Sequence, residues 1–190
     1  MKSRALLAAA LISLSAPAFA AESYTFDPNH TNITWSANHF GFSNPDGKFA
    51  SASGTLVLDR DHPENSKVQV SIDTNGLVTG LPTFDEHIKS DKFLNVAQFP
   101  TATFVSDKVE LTGKDTALVT GNLTLLGVTK PVVLDVKLNQ IGMNPINSKQ
   151  TAGFSATTII KRSDWGMTTY VPNVSDEVKI SIEAEANLAS

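Results

Sequence analysis

Residues 117–138, ALVTGNLTLLGVTKPVVLDVKL, spell out two strands and the turn between them. Ala117, Val119, Gly121, Leu123 and Leu125 share one parity, and Leu118, Thr120, Asn122 and Thr124 share the other. After Gly127 the apolar set resumes at Val132, Leu134, Val136 and Leu138. Side chains of an extended backbone alternate between two faces, so this period of two predicts a β-hairpin. The opposite positions Thr120, Asn122, Thr124, Asp135, Lys137 and Asn139 are polar. Each strand therefore wets one face and hides the other, as antiparallel sheets do. Function is to be sought on the hidden face.

The same alternation extends outward. Downstream, Ala152, Phe154, Ala156 and Ile160 mark one strand, and Val178, Ile180, Ile182, Ala184 and Ala186 mark another against outward Lys179, Ser181, Glu183 and Glu185. Upstream, Ala102 and Phe104 differ in parity from Val109 and Leu111, which predicts a bulge near Ser106 and Asp107. Val68, Val70 and Ile72 form a further strand, and Ile33, Trp35, Ala37 and His39 are the first clear one. Between them, Asn44-Pro45-Asp46-Gly47 supplies turn chemistry before a return run over 48–59. Only 81–94 breaks the pattern. Thr83 and Glu86 have capping-box spacing there, and Phe84, Ile88 and Leu94 fall along one side, which predicts one short helix.

About eight strands in one all-β domain can close into a barrel or split into a sandwich, and alternation alone leaves both open. Ala37, Gly121, Ala152, Ala156, Ala184 and Ala186 sit at inward parity. Short side chains on that wall either leave a channel or relieve crowding where a twisted sheet curls.

The first twenty residues stand apart from this pattern. Lys2 and Arg4, an apolar run over 5–14 and Ala18-Phe19-Ala20 read as a secretory signal, so 21–190 is expected to be a single exported domain. Cysteine is absent, which excludes disulfides, thiolate metal sites and a cysteine-borne lipid anchor. No later segment has the apolar length of a membrane helix. The formal charge of −4 argues against nucleic acid and anionic surfaces as partners.

Residues able to carry chemistry are few. His30, His39, His62 and His87 lack the spacing of a metal site. Asp85, Glu86 and His87 fan around the first turns of the predicted helix, where acids are favoured by the helix dipole. No Gly-x-Ser-x-Gly elbow appears. The Asn-x-Thr triplets at Asn29, Asn32 and Asn122 are what chance gives in such a composition. At 162–166, Arg162 and Asp164 beside Trp165 and Gly166 suggest a strand-end corner in which Arg and Asp pair.

With these residues in view, the chain resembles the YceI-like periplasmic polyisoprenoid-binding family from about Tyr24 to its C-terminus. The likeness rests on Asp27 and His30, His39 with Gly41, Gly47 and Phe49, His87-Ile88-Lys89-Ser90 leading to Phe93-Leu94, and the run 99–104. The stretch 121–132, Gly153-Phe154 and 162–166 complete it. Lys92 stands where an acid is usual, with Asp91 one place earlier. Phe84 replaces a common basic residue, and Trp165 a common phenylalanine. The resemblance implies an extended eight-stranded antiparallel lipocalin-like barrel with one short helix. It further implies an apolar tunnel for a polyprenyl or similar lipid chain, export to the periplasm, no cofactor and no catalysis.

On that reading Trp35, Phe93, Phe104, Leu123, Leu125, Val136, Phe154 and Trp165 are expected to line the tunnel. His39, Asp91, Arg162 and Asp164 are the head-group candidates. The partner is then a long-chain isoprenoid, with a quinone or its precursor as one form, and a homodimer is a further option. Two rival readings are a filled barrel acting as a stress-related interaction protein and a hydrolase using His39 or His87.

Overall fold

In the computed structural model, which describes residues 21–50 and 52–189, the alternation becomes a closed antiparallel barrel. The expected secretory signal lies outside the described residues. The strands are β1 (Glu22–Phe26), β2 (Asn32–His39), β3 (Asp46–Phe49), β4 (Ala52–Leu58), β5 (Lys67–Asp73), β6 (Leu77–Val78), β7 (Thr101–Leu111), β8 (Thr116–Leu125), β9 (Val128–Met143), β10 (Gln150–Lys161) and β11 (Val174–Leu188). One helix, α1 (Pro82–Lys89), lies between β6 and β7.

The ring runs β1-β4-β5-β7-β8-β9-β10-β11 and closes through the pairing of β11 with β1. Farther along the same edge of β11 runs β2, whose Asn32 pairs with Glu183 while Phe26 of β1 pairs with Ala186. In turn β3 pairs with β2, and β6 with β3. Eight long strands result, three of them broken in two: β1 with β2, β3 with β4, and β5 with β6. A closed ring leaves no free edge along its circumference.

The breaks explain where the sequence reading fell short. Residues 22–26 carry too brief an alternation to announce β1, and the run 48–59 is two strands rather than one. Chain reversal after β2 happens at Phe40 and Gly41, with φ of 54° and 79°, so Asp46 and Gly47 already belong to β3 rather than to the turn. The expected bulge is present between Ser106 and Lys108. The helix is shorter than 81–94. Pro82 sets its first turn, and Thr83 caps nothing. Asp85 instead reaches back, its carboxylate accepting hydrogen bonds from Thr79 N at 2.7 Å and Thr79 Oγ1 at 2.6 Å. Those bonds hold the Asp85 carboxyl below its ordinary range.

At the joint between β1 and β2, Asp27 accepts from Asn29 N at 2.9 Å and faces His30 Nδ1 at 3.0 Å. The Asp27 hydrogen bond, then the charge of Glu185, raise the His30 imidazole above its ordinary 6.5. The same His30 bond, then Asn29 N, lowers Asp27 below 3.8. His30 therefore favours the folded state below pH 6.5, an effect lost as pH climbs through the raised value. Asp27 favours it above pH 3.8, an effect lost on acidification through the lowered value. Both act together between 3.8 and 6.5. In an NMR titration, the His30 ring signals are expected to move at a pH above 6.5, and Asp27→Asn to bring that midpoint down. An unchanged midpoint in the variant would remove the role given to Asp27.

Candidate binding cavity

Inward side chains of the barrel are only partly covered. Along β9, Val133, Asp135 and Lys137 are exposed, as expected of the outer face, but Leu134, Val136 and Leu138 on the inner face are half-buried rather than sealed. They border a cavity of about 850 Å³, toward the upper end of the roughly 300–1,000 Å³ usual for small-molecule sites. Its wall combines Trp35 and Ala37 of β2, Val68 and Ile72 of β5, Phe104 and Val109 of β7, Leu123 and Leu125 of β8, Phe154 and Ala156 of β10, and Ile180, Ile182 and Ala184 of β11.

The six small inward residues divide by role. Ala37, Ala156 and Ala184 face the cavity. Ala152 and Ala186, both fully buried, instead pack with Tyr24 near the opposite end of the barrel from α1. The Tyr24 hydroxyl donates to Glu22 Oε2 at 2.8 Å and accepts from Gln150 Nε2 at 2.6 Å. Gly121 makes room for a ring: a Cβ there would stand 2.4 Å from Phe104 Cζ. Part of the interior is thus ordinary core and part is open space.

The two ends of the cavity differ in chemistry. Where α1 packs, the border is aromatic. The His87 ring meets Phe93 edge-on at 5.0 Å between centroids and stacks on Tyr170 at 6.4 Å. Phe84 of α1 lies 6.4 Å from the Trp35 ring. His39 sits exposed at this rim, edge-on to Phe40 at 4.6 Å, and is not a core histidine. Asp59, Arg60, Lys67, Lys114 and Asp115 border the other end.

Arg162 lies under the aromatic rim with 4 % of its surface exposed. Its Nε donates to Ser175 O, Nη1 to Met167 O, and Nη2 to Thr169 O and Val174 O, all at 2.9–3.0 Å. The guanidinium thereby fastens the 166–175 segment to the end of β10. Burial lowers the Arg162 pKa, with the Asp176 charge opposing. For Asp176, burial acts to raise the carboxyl, but hydrogen bonds from Ser163 Oγ at 2.7 Å and Ser163 N at 2.9 Å, together with the charges of Arg162 and Lys161, outweigh it and leave the carboxyl below its ordinary value. The expected pairing of Arg162 with Asp164 is therefore corrected: the neighbouring carboxylate is Asp176, and the guanidinium is already spent on carbonyls.

Of the expected lining residues, Trp35, Phe93, Phe104, Leu123, Leu125, Val136 and Phe154 border the cavity. Trp165 does not. It is buried in the core with Nε1 donating to Leu123 O at 3.3 Å. Of the head-group candidates, His39 and Arg162 border the cavity, while Asp91 and Asp164 are exposed outside it. Tyr170 was missed because it lies in an irregular turn, where period-two reading is blind. His87, placed by the sequence on a helix turn and in the rival hydrolase reading but not among the lining or head-group candidates, borders the cavity. The contacts of both imidazoles are aromatic rings. Away from the cavity rim, Asp27, His30 and Glu185 bring possible ligand atoms within 4.8 Å of one another, a grouping invisible to histidine spacing. Among the described residues no helix is long and apolar enough to cross a membrane.

With this geometry established, comparisons with known proteins place the chain. The model of the YceI-like domain matches residues 24–186. Protein YceI of Salmonella arizonae is 41% identical over 179 residues, spanning 93% of this chain and 92% of that protein. Among solved structures, the YceI protein of Campylobacter jejuni superposes with a TM-score of 0.73 at 32% identity, covering 80% of this chain and 90% of the other. A polyisoprenoid-binding domain from Saccharophagus degradans, implicated in plant cell wall breakdown, shares the fold at a TM-score of 0.69 and 14% identity, over 88% of this chain and 99% of that one. Sequence and architecture agree: the chain belongs to the YceI family.

Proposed function

We propose that this protein is an exported, non-enzymatic carrier that holds a long-chain isoprenoid or related lipid, a quinone or its precursor being one form, inside the barrel. The observation that carries the reading is the cavity of about 850 Å³ walled by Trp, Phe, Leu, Ile, Val and Ala. Each buried methylene contributes on the order of 0.8 kcal/mol, so a long tail binds with few polar contacts. The fold shared with a polyisoprenoid-binding domain supports the same ligand class. On this reading residues 1–20 are removed on export and 21–190 work in the periplasm as one domain. The polar end of the ligand rests among His39, His87 and Tyr170, since Arg162 is engaged elsewhere.

Mass spectrometry of an organic extract of the purified mature protein is expected to show a long-chain lipid. Protein that is empty on isolation and takes up no fluorescent prenyl probe would overturn the assignment. The filled-barrel alternative is separated by Ala184→Leu. Ala184 faces the cavity, so added carbons displace ligand rather than neighbours. Chemical denaturation is expected to shift by less than about 1 kcal/mol, whereas overpacking a filled core would cost roughly 1–3 kcal/mol. Probe affinity of the same variant is expected to fall several-fold.

A further inference from the structure

At the α1 end of the barrel, large apolar side chains stand in water instead of being covered. Phe42 is 90% exposed, Leu81 63%, Tyr170 51% and Phe40 47%. They occupy the loop after β2, the residue before α1 and the turn before β11, and α1 and that turn reach the cavity through Phe84, His87 and Tyr170. His39 and Pro45, which bracket the Phe40–Phe42 loop, border the cavity, as does Tyr170 itself. An apolar surface thus continues from the cavity wall onto the outside of the protein.

This rim is built. Phe40 N donates to Asn173 O at 2.9 Å, tying the first loop to the turn before β11. Gly41 N donates to Asn38 Oδ1 at 2.8 Å, and Phe42 N to His39 O at 3.0 Å. Phe40 and Tyr170 hold φ of 54° and 63°. Bulky residues seldom adopt that region, and the surrounding bonds must hold them there. The loop backbone is therefore held in place, and Phe42 projects from it into solvent.

We propose that this rim docks on the surface of a zwitterionic phospholipid bilayer, so that a lipid passes between bilayer and cavity without crossing water. The inference rests on the carrier reading. Three observations favour a bilayer as occupant. Phe84, Phe93 and Tyr170 carry the apolar lining to this end of the cavity, which suits a hydrocarbon partner. A formal charge of −4 offers no attraction to anionic lipid, so insertion has to be apolar. Scaled by their exposure, Phe42, Leu81, Tyr170 and Phe40 offer on the order of 400–600 Å², short of the roughly 800 Å² per partner that a stable protein dimer requires.

The test uses the mature protein, a dansyl-labelled prenyl probe and phosphatidylcholine vesicles. Without probe, the protein is expected to float with vesicles, and Phe42→Ser to reduce flotation about tenfold. With probe loaded, transfer to vesicles is expected to accelerate with vesicle concentration, and Phe42→Ser to slow it about tenfold while leaving probe affinity unchanged. Ile146→Ser, altering a side chain 92% exposed in the β9–β10 loop at the opposite end, is expected to change neither. Flotation without probe uptake would sustain docking and end the carrier reading. Probe uptake with no flotation, or with transfer indifferent to vesicle concentration and to Phe42, would overturn docking and spare the carrier. Self-association that depends on Phe42 in place of flotation would overturn it in favour of a second copy.

Discussion

Arg162→Ala is expected to lower the unfolding free energy by about 3–5 kcal/mol, the cost typical of removing one member of a buried, charge-assisted network. The side chain is 4% exposed and donates to four backbone carbonyls contributed by residues 167, 169, 174 and 175. Truncation strands those carbonyls, that of Met167 fully buried and the other three partly so. Lysine is expected to recover little. A compact ammonium carries the charge but cannot span four acceptors that a planar fork reaches at once. The measurement is urea unfolding of delipidated protein, so that bound ligand does not contribute to the apparent stability. A head-group role would give the opposite pattern, with stability kept and lipid affinity lost. The Phe93 ring, 6.0 Å from the guanidinium carbon, should shift its signals in the same variant.

Arg162 also shows where sequence reading stops. Its position beside Trp165 and Gly166 marked a corner, and a corner is there, with Gly166 at a φ of 87° closing a short 3-10 turn. Its partners, however, are carbonyls brought near only when β10 and β11 pair. Alternation carries no information about such groups. It succeeds where strands are long and one-sided, as in β8 to β11, because wall and outer face then follow from parity alone. Six of the expected lining residues, Trp35, Phe104, Leu123, Leu125, Val136 and Phe154, border the cavity from strands for that reason, whereas Phe93 reaches it from the turn after α1. Trp165 escapes the rule because it stands in the turn after β10, not within a strand.

The first half of the barrel was harder to read, since its long strands are interrupted. The 27–31 joint, the break near residue 50 and the 74–76 turn each reset the register. Short pieces such as β6, with two residues, owe their existence to pairing with β3 and not to their own pattern. The ends of the cavity share this opacity. His39 was accessible through parity, but His87 and Tyr170 reach the rim through α1 and an irregular turn. The family resemblance supplied the closed barrel that alternation had left undecided between barrel and sandwich.

The width of the bore should depend on the missing side chain at Gly121. This residue lies in β8 opposite Ser106, immediately before the bulge of β7. A Cβ would fall 2.4 Å from Phe104 Cζ and 2.6 Å from Val105 O, closer than real atoms come. Phe104 therefore lies against the wall over the space that glycine leaves, and the lumen beside it stays open. Gly121→Ala is expected to destabilise the protein by about 1–3 kcal/mol, as overpacking does, because the carbonyl contact cannot be relieved by a rotamer change alone. The ring contact can be relieved, but only by swinging Phe104 into the cavity. Lipid uptake is then expected to fall more for long, branched prenyl chains than for short linear ones. Adding Phe104→Leu to Gly121→Ala removes the ring and should restore uptake, leaving most of the stability loss in place because Val105 O remains. Denaturation and probe titration of the single and double variants separate the two contacts. Equal uptake by wild type and Gly121→Ala across chain types would mean that Phe104 does not set the bore.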